Sequence, residues 1–466
     1  MGQGFNVDVV VMAAGKGTRM KSARPKVLHR LGGRALAVHV LDCAARISAR
    51  QAVVITGHGA DQVEPALAHA VPELSLRFAR QEPQLGTGHA VQQALPLLAD
   101  DGVTLVLSGD VPLTQPDTLL ALLRACDGQH LALLTLDLPD PTGYGRIVRN
   151  AAGDVLAIVE HKDASEAQRA IGEIYSGVLA VPTRLLRGWL ARLDNHNAQQ
   201  EYYLTDVVKF AVADGITVKA HRITDAVQVA GVNSPAQLAE LERAFQRRLA
   251  EAHLTNGVRL MDPSRFDVRG ELVCGLDVEI DVNCIFEGRV LLGDRVRIGA
   301  NCVIANAVIE DGAVIHPFTH IDGEKAGVTV GPGALVGPFA RLRPGARLGA
   351  EVHIGNFVEV KNSTLAAGAK ANHLAYLGDA TVGERVNYGA GSITANYDGA
   401  NKHRTVIEAD VHVGSNCVLV APVTLGAGGT VGGGSTITKD TPPGALSVAR
   451  GKQVSIPNWS RPQKKG

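Results

Sequence analysis

Lys16, Arg19 and Lys26 crowd a short glycine-rich stretch. It runs Ala13-Ala14-Gly15-Lys16-Gly17-Thr18-Arg19-Met20 and closes the apolar run Val7–Met12. Fixed cations beside free backbone N–H groups suit a polyphosphate. The stretch is not a Walker loop, because no Gly-Lys-Ser/Thr closes it, and Met20 stands where a dinucleotide fingerprint needs its third glycine. A second candidate is Asp110, in Ser108-Gly109-Asp110-Val111-Pro112, just after the apolar run Val103–Ser108. Mg2+ takes one or two carboxylates and completes its shell from phosphates and water. Asp after Gly is also a common turn residue, and spacing alone leaves both readings open. A third candidate is His373, in Lys370-Ala371-Asn372-His373-Leu374-Ala375-Tyr376-Leu377-Gly378-Asp379. Histidine can accept a proton near neutral pH, although a lone histidine is more often structural. Arg343 and Lys361 are either phosphate-neutralising cations or exposed charges.

Two kinds of scaffold must position these groups. In the first half, apolar runs at Val7–Met12, Ala52–Thr56, Val103–Ser108 and Leu131–Leu136 alternate with helix-like stretches. That alternation predicts a parallel sheet covered on both faces, with ligands at the carboxyl ends of its strands. Pro235 to about His253 reads as a helix, with Leu238, Leu241, Phe245 and Leu249 at three- to four-residue steps and Ser234 as N-cap. In the second half one apolar residue recurs every six: Val330, Val336, Leu342, Leu348, Ile354, Val360, and later Val413, Leu419, Leu425, Val431, Ile437. Neither a helix nor a long strand has that period. Hexads predict a parallel β-helix, whose short rungs are stable only when stacked. They begin faintly at Leu292, Ile298 and Ile304. Breaks are expected at Asp322–Gly327, at Asn362–Ala380 and at Thr394–Lys402, where polar and aromatic residues gather and chemistry is most plausible.

The whole chain sets bounds. With 466 residues it has room for two to three domains. Lys+Arg and Asp+Glu are both 46, which argues against a general nucleic-acid binder. No apolar run reaches the roughly 20 residues of a membrane span, and MGQGFNVDVVVMAAG has no basic segment before its apolar run, so no secretory signal is expected. Six scattered cysteines with no C-x-x-C pair suit reduced thiols in a cytoplasm.

The motifs are more specific than the composition. Ala13-Ala14-Gly15-x-Gly-Thr-Arg-Met with Pro25-Lys26 resembles the signature of sugar-1-phosphate nucleotidylyltransferases. Gln84-Leu85-Gly86-Thr87-Gly88-His89-Ala90, Gly109-Asp110-Val111-Pro112-Leu113, Pro141-Thr142-Gly143-Tyr144-Gly145-Arg146, Val159-Glu160-His161-Lys162-Asp163 and Glu201-Tyr202-Tyr203-Leu204-Thr205-Asp206 narrow it. Together with the hexads, the chain resembles the bacterial bifunctional N-acetylglucosamine-1-phosphate uridylyltransferase / glucosamine-1-phosphate acetyltransferase family from the first strand to the tail.

The resemblance implies a Rossmann-like α/β domain with a mixed sheet over residues 1–231, a helical linker over 232–251, and a left-handed, trimeric β-helix over 252–466. Ala13, Ala14, Gly15, Gln81, Gly86 and Thr87 would hold the uridine of UTP, with Arg19 and Lys26 on the phosphates. Asp110 and Asn233 would hold Mg2+, and Gly145 and Glu160 would contact N-acetylglucosamine 1-phosphate. In the second half, His373 would be the general base. Arg343, Lys361, Tyr376 and Asn387 would bind glucosamine 1-phosphate. Ala390, Asn396, Tyr397, Ser415, Gly433 and Arg450 would bind acetyl-CoA, the co-substrate. Four positions depart from the family pattern: Met12 for leucine, Ser108 for a frequent tyrosine, Tyr175 for a sugar-contacting asparagine, and Gly433 for alanine. A phenol cannot present an amide's geometry, so no sugar contact is carried over to Tyr175. The rival expectation is a single-activity nucleotidylyltransferase whose β-helix is only an oligomerisation scaffold.

Overall fold

A computed structural model describes residues 5–464. Met1–Gly4, where the N-terminal reading began, and the last two residues lie outside the described residues. The chain divides into two compact units, 1–245 and 246–466.

The first unit is a mixed sheet. Its strands are β1 (Asn6–Met12), β2 (Gln51–Thr56), β3 (Leu76–Arg80), β4 (Gly102–Ser108), β5 (Leu131–Asp137), β6 (Arg146–Arg149), β7 (Val155–Val159), β8 (Glu173–Pro182) and β9 (Val218–Arg222). The main sheet runs β9-β5-β8-β4-β1-β2-β3, and β6 joins it through β8 with β7 at its side. β1 lies parallel between β2 and β4, so it is fully sandwiched, and Val9, Val10 and Val11 are wholly buried. Continuous apolar runs are what a strand covered on both faces requires. The alternation of runs and helices leaves no trace of β8, which enters antiparallel between β4 and β5 and makes the sheet mixed. Separate apolar clusters fill the two faces of the sheet.

The helix runs from Pro235 to Thr255. The Ser234 hydroxyl accepts from the Gln237 N–H at 3.3 Å, as an N-cap does.

The second unit is a left-handed parallel β-helix with three walls. Val330, Val336 and Leu342 each stand in a different column, and Leu348, Ile354 and Val360 lie directly above them in register. All six are buried in one continuous apolar core. The expected break at Asn362–Ala380 is not a break. Strands Thr364–Leu365, Lys370–His373 and Tyr376–Gly378 continue the coil, placing Leu365, Ala371 and Leu377 above Leu348, Ile354 and Val360. The rung after Val360 is one residue short, which shifts the hexad phase and hides it from a fixed six-residue count. Thr394–Lys402 does interrupt the walls, and 396–402 leaves them as a loop. The β-helix also begins earlier than its faint hexads: Leu260 already pairs beneath Ile280, and Phe266 beneath Cys284.

Candidate functional sites

The first site lies at the carboxyl ends of β1 and β4. A cavity of about 300 Å³ is lined by Ala13, Ala14, Gly15, Lys26, Gln81, Gly86, Thr87 and Asp110, together with Met12, Gln84, Ser108 and Glu201. Local backbone geometry builds it. Gly17 has φ +58°, and a Cβ there would sit 2.8 Å from the Lys26 Cβ, so only glycine lets the loop lie against Lys26. Gly86 has φ +106°, and its own Cβ would strike the Tyr202 carbonyl at 2.7 Å. That close approach seats the 84–88 segment beneath 201–204, where the Thr87 hydroxyl accepts from the Leu204 N–H at 3.0 Å. Gln81 is buried and donates to the Gly86 carbonyl at 2.9 Å. Gln84 donates to the Ala14 carbonyl at 2.7 Å, tying the second loop to the first. Gln84 and Glu201 were legible only as members of their motifs; nothing in their own spacing marks them.

Lys26 forms an ion pair with Asp110 and donates to the Asn233 side-chain oxygen at 3.1 Å. The Val232 N–H bonds the Asp110 carbonyl at 2.9 Å, which docks the distant 231–233 segment on the strand end. One carboxylate and one amide oxygen therefore converge on a point now holding an ammonium. This donor set fits Mg2+ with the rest of its shell from phosphates and water. Among the described residues no group of three or more His, Cys, Asp or Glu side chains forms a ready metal cage. Arg19 is exposed and does not line the cavity.

A neighbouring cavity of about 220 Å³ shares Met12, Thr87 and Ser108 with the first and adds Gly145, Glu160, Tyr175 and Thr205. Burial pushes the Glu160 carboxyl above its ordinary range, although the Thr205 hydroxyl donates to it at 3.0 Å.

The second site lies on the β-helix. One corner carries Asn356, His373, Ala390, Ser415 and Gly433, one per coil. Each carbonyl accepts the N–H of the residue after the next coil's member: Asn356 from Leu374, His373 from Gly391, Ala390 from Asn416 and Ser415 from Gly434. Arg450 reaches the end of this column and donates to the Gly433 carbonyl at 2.5 Å. His373 is exposed, and its Nδ1 lies 2.9 Å from the Asn356 side-chain oxygen. An amide oxygen only accepts, so Nδ1 carries the proton and Nε2 keeps its lone pair outward. Sequence reasoning missed Asn356, whose only signal is that one coil separates it from His373.

The wall that leaves this corner carries Arg343, Lys361 and Tyr376 on three successive coils. Arg343 donates to Glu359 at 2.7 Å, which holds its guanidinium more firmly protonated. Lys402, from the 396–402 loop, faces Lys361. The Lys402 contact, burial and the nearby Arg343 lower the Lys361 pKa. Three cations gathered on one wall, with Glu359 and Asp379 as their neighbouring carboxylates, suit the binding of an anion such as a phosphate. Lys402 closes the expected break at Thr394–Lys402, but sequence reasoning did not single it out, because only the placement of the loop brings it to Lys361. That loop is stiffened by Asp398, which accepts from the Asn401 and Ala400 N–H groups and pairs with His403 at 2.7 Å. Buried Asn396 donates to Asp379 at 2.5 Å at the loop's root, while Tyr397 is exposed at its tip. Asn387 is not with this group: its strand, Asn387–Tyr388, belongs to the wall that enters the corner, beside Lys370–His373.

Two comparisons with known proteins bear on the chain. A family model described as a MobA-like NTP transferase domain matches residues 9–174. Over nearly its whole length the chain is similar to proteins named "Bifunctional protein GlmU". It is 80% identical to that of Polaromonas sp. (strain JS666), covering 98% of each chain, and 79% identical to that of Polaromonas naphthalenivorans (strain CJ2), again covering 98% of each. With that of Azoarcus sp. (strain BH72) it shares 57% identity over 98% of this chain and 100% of the other.

Proposed function

The chain belongs to the family of bifunctional GlmU proteins, and from that premise we propose how its two sites divide the work. The enzyme makes UDP-N-acetylglucosamine in two steps. It acetylates glucosamine 1-phosphate with acetyl-CoA, then transfers UMP from UTP to the N-acetylglucosamine 1-phosphate, releasing pyrophosphate. The observation that carries this reading is that two chemically distinct clusters stand in two separate units of one chain. The family match spans both, so a β-helix serving only as a scaffold is not favoured.

For uridylyl transfer, the backbone of Ala13–Gly15 with Gln81, Gly86 and Thr87 holds the nucleotide. Lys26 leaves Asp110 for the phosphates. Asp110 and Asn233 would hold Mg2+, which when bound would supply neutralisation of charge on the triphosphate. Gly145 and Glu160 orient the sugar phosphate so that its phosphate oxygen lies in line with the α-phosphorus. The work is positioning and charge neutralisation. Arg19, outside the cavity, acts only as a long-range attraction for the anion.

For acetyl transfer, Arg343, Lys361 and Lys402 bind the phosphate of glucosamine 1-phosphate. His373 Nε2 takes the proton that the sugar amine sheds as it attacks the thioester carbonyl. Asn356 fixes the ring. Ala390, Ser415 and Gly433, stacked above His373, offer a strip for acetyl-CoA, with Arg450 at its end and Asn396 and Tyr397 from the other corner. Asn387 and Lys361 occupy different walls of the prism, and in this reading each serves a different copy of the site. A trimer in which neighbouring prisms face each other provides this. Among the described residues no helix is long and apolar enough to cross a membrane, and we assign the enzyme to the cytoplasm, where UTP and acetyl-CoA are made. Product analysis with glucosamine 1-phosphate, acetyl-CoA, UTP and Mg2+, omitting one at a time, tests the scheme. UDP-N-acetylglucosamine should require all four, and its formation without acetyl-CoA would refute the order.

A further inference from the structure

The wall that carries Arg343 and Lys361 has a glycine where their column continues. Lys361 stands in register under Gly378, and Arg343 lies one coil below Lys361. The residues just before them, Leu342, Val360 and Leu377, are buried in the core. Neighbouring positions of a strand face opposite ways, so 343, 361 and 378 all face outward. Gly378 puts no side chain of its own in the third place. Tyr376, two residues earlier on the same strand and the same face, fills that place instead. A Cβ at 378 would overlap the Tyr376 hydroxyl oxygen and Cζ, and would stand 2.7 Å from Cε1. The backbone does not call for glycine here, because Gly378 is not in the left-handed region. Nor is the strand free to draw back. The Gly378 N–H donates to the Thr394 hydroxyl at 2.8 Å, and that buried hydroxyl donates to the Gly378 carbonyl at 3.0 Å. The missing side chain therefore serves the tyrosine ring and not the chain trace. It sets the phenolic hydroxyl beside Lys361, in line with two cations. A phenol donates one hydrogen bond, and a phosphate held by two cations still has oxygen lone pairs to accept it.

We propose that Gly378 is a positioning residue for acetyl transfer: its missing side chain seats the Tyr376 hydroxyl beside Lys361, where it donates to the phosphate of glucosamine 1-phosphate. This rests on the reading of the Arg343–Lys361 wall as the phosphate site. The phosphate takes no part in the bond that forms, so the contact is made equally before and during the reaction. It sets affinity for the sugar phosphate and leaves turnover alone.

The test is a double-mutant cycle in the full-length enzyme. Gly378→Ala should push the ring off its seat and raise the KM for glucosamine 1-phosphate about tenfold, the loss expected for one hydrogen bond to a charged group. The acetyl-transfer kcat and both constants of uridylyl transfer should stay within about twofold. Tyr376→Phe, which leaves the strand untouched, should raise the same KM to a similar degree. In a Tyr376→Ala background there is no ring to displace, so adding Gly378→Ala should change the KM by less than about twofold. A penalty or a loss of folding that is the same in both backgrounds overturns the proposal, because the glycine is then needed by the backbone. An unchanged KM in Gly378→Ala or in Tyr376→Phe overturns it as well. Lys361→Met separates this inference from the reading beneath it. If that variant leaves the KM unmoved, the wall is not the phosphate site and both fall; if it raises the KM while Gly378→Ala does not, only the role of Gly378 falls.

Discussion

The two units solve the problem of gathering reactive groups in opposite ways. In the α/β unit the groups come from far apart in sequence. Ala13, Lys26, Gln81, Asp110 and Asn233 arrive from different stretches of the chain and meet in or beside one open cavity. In the β-helix the groups come from neighbouring coils, and stacking sets their order: Asn356, His373, Ala390, Ser415 and Gly433 follow one another up a corner. The first arrangement can surround a ligand within one chain. The second gives a column on an open wall, accurate along the axis but one-sided. A solenoid places residues by register and needs a second surface to make a pocket.

The sharpest way to break this comparison is to remove the proton acceptor. In His373→Ala, acetyl transfer should fall by roughly 10²- to 10⁴-fold. Uridylyl transfer from supplied N-acetylglucosamine 1-phosphate should be unchanged, since no buried rung is altered. A variant that keeps most of its acetyl-transfer rate would make His373 a structural histidine. The mirror experiment is Asp110→Ala, for which uridylyl transfer should drop at least about tenfold because a charge-neutralising ligand is lost. Acetyl transfer should remain, and an equal loss of both activities would contradict the separation.

Smaller effects sharpen the local geometry. Asn356→Ala frees the His373 ring and should lower the acetyl-transfer kcat by about tenfold, with little change in KM. A change in KM alone would mean that Asn356 touches substrate instead. Gly17→Ala places a Cβ against Lys26 at a left-handed backbone position. It should cost about 1–2 kcal/mol of stability in the first unit and impair uridylyl transfer only. Unaltered unfolding would show that the loop relaxes freely.

The smallest effect concerns pH. Lys402 lowers the pKa of Lys361, and Lys361 is cationic only below that lowered value. As pH rises through it the charge is lost, so the KM for glucosamine 1-phosphate should climb at a lower pH than an ordinary lysine would give. Lys402→Met raises the Lys361 pKa and should move this alkaline limb to higher pH. It should also raise the KM about two- to fivefold at neutral pH, through loss of one exposed phosphate contact. A limb that stays in place would remove Lys361 from the phosphate site.

Legibility in the sequence followed the same divide. The β-helix announced itself because Val330 to Val360 keep one period and every rung has the same job. It went quiet after Val360, where one missing residue changed the phase although Leu365, Ala371 and Leu377 kept the columns intact. The strands of the α/β unit were legible as buried runs, but β8 was not, because the direction of a strand leaves no mark on its composition. Motif residues such as Asp110 could be named. Their meeting with Lys26 could not, since it depends on how the 231–233 segment docks. Asn356 and Lys402 stayed hidden because their roles arise from coil register and loop placement, which spacing along the chain does not encode.

The central claim is that the uridylyl site is complete in one chain and the acetyl site is not. Both specific activities should be measured on one preparation diluted through subunit dissociation, with sedimentation recording the oligomeric state at each concentration. Acetyl transfer per chain should fall in step with loss of the oligomer while uridylyl transfer per chain holds steady. A monomer with full acetyltransferase activity would contradict the account.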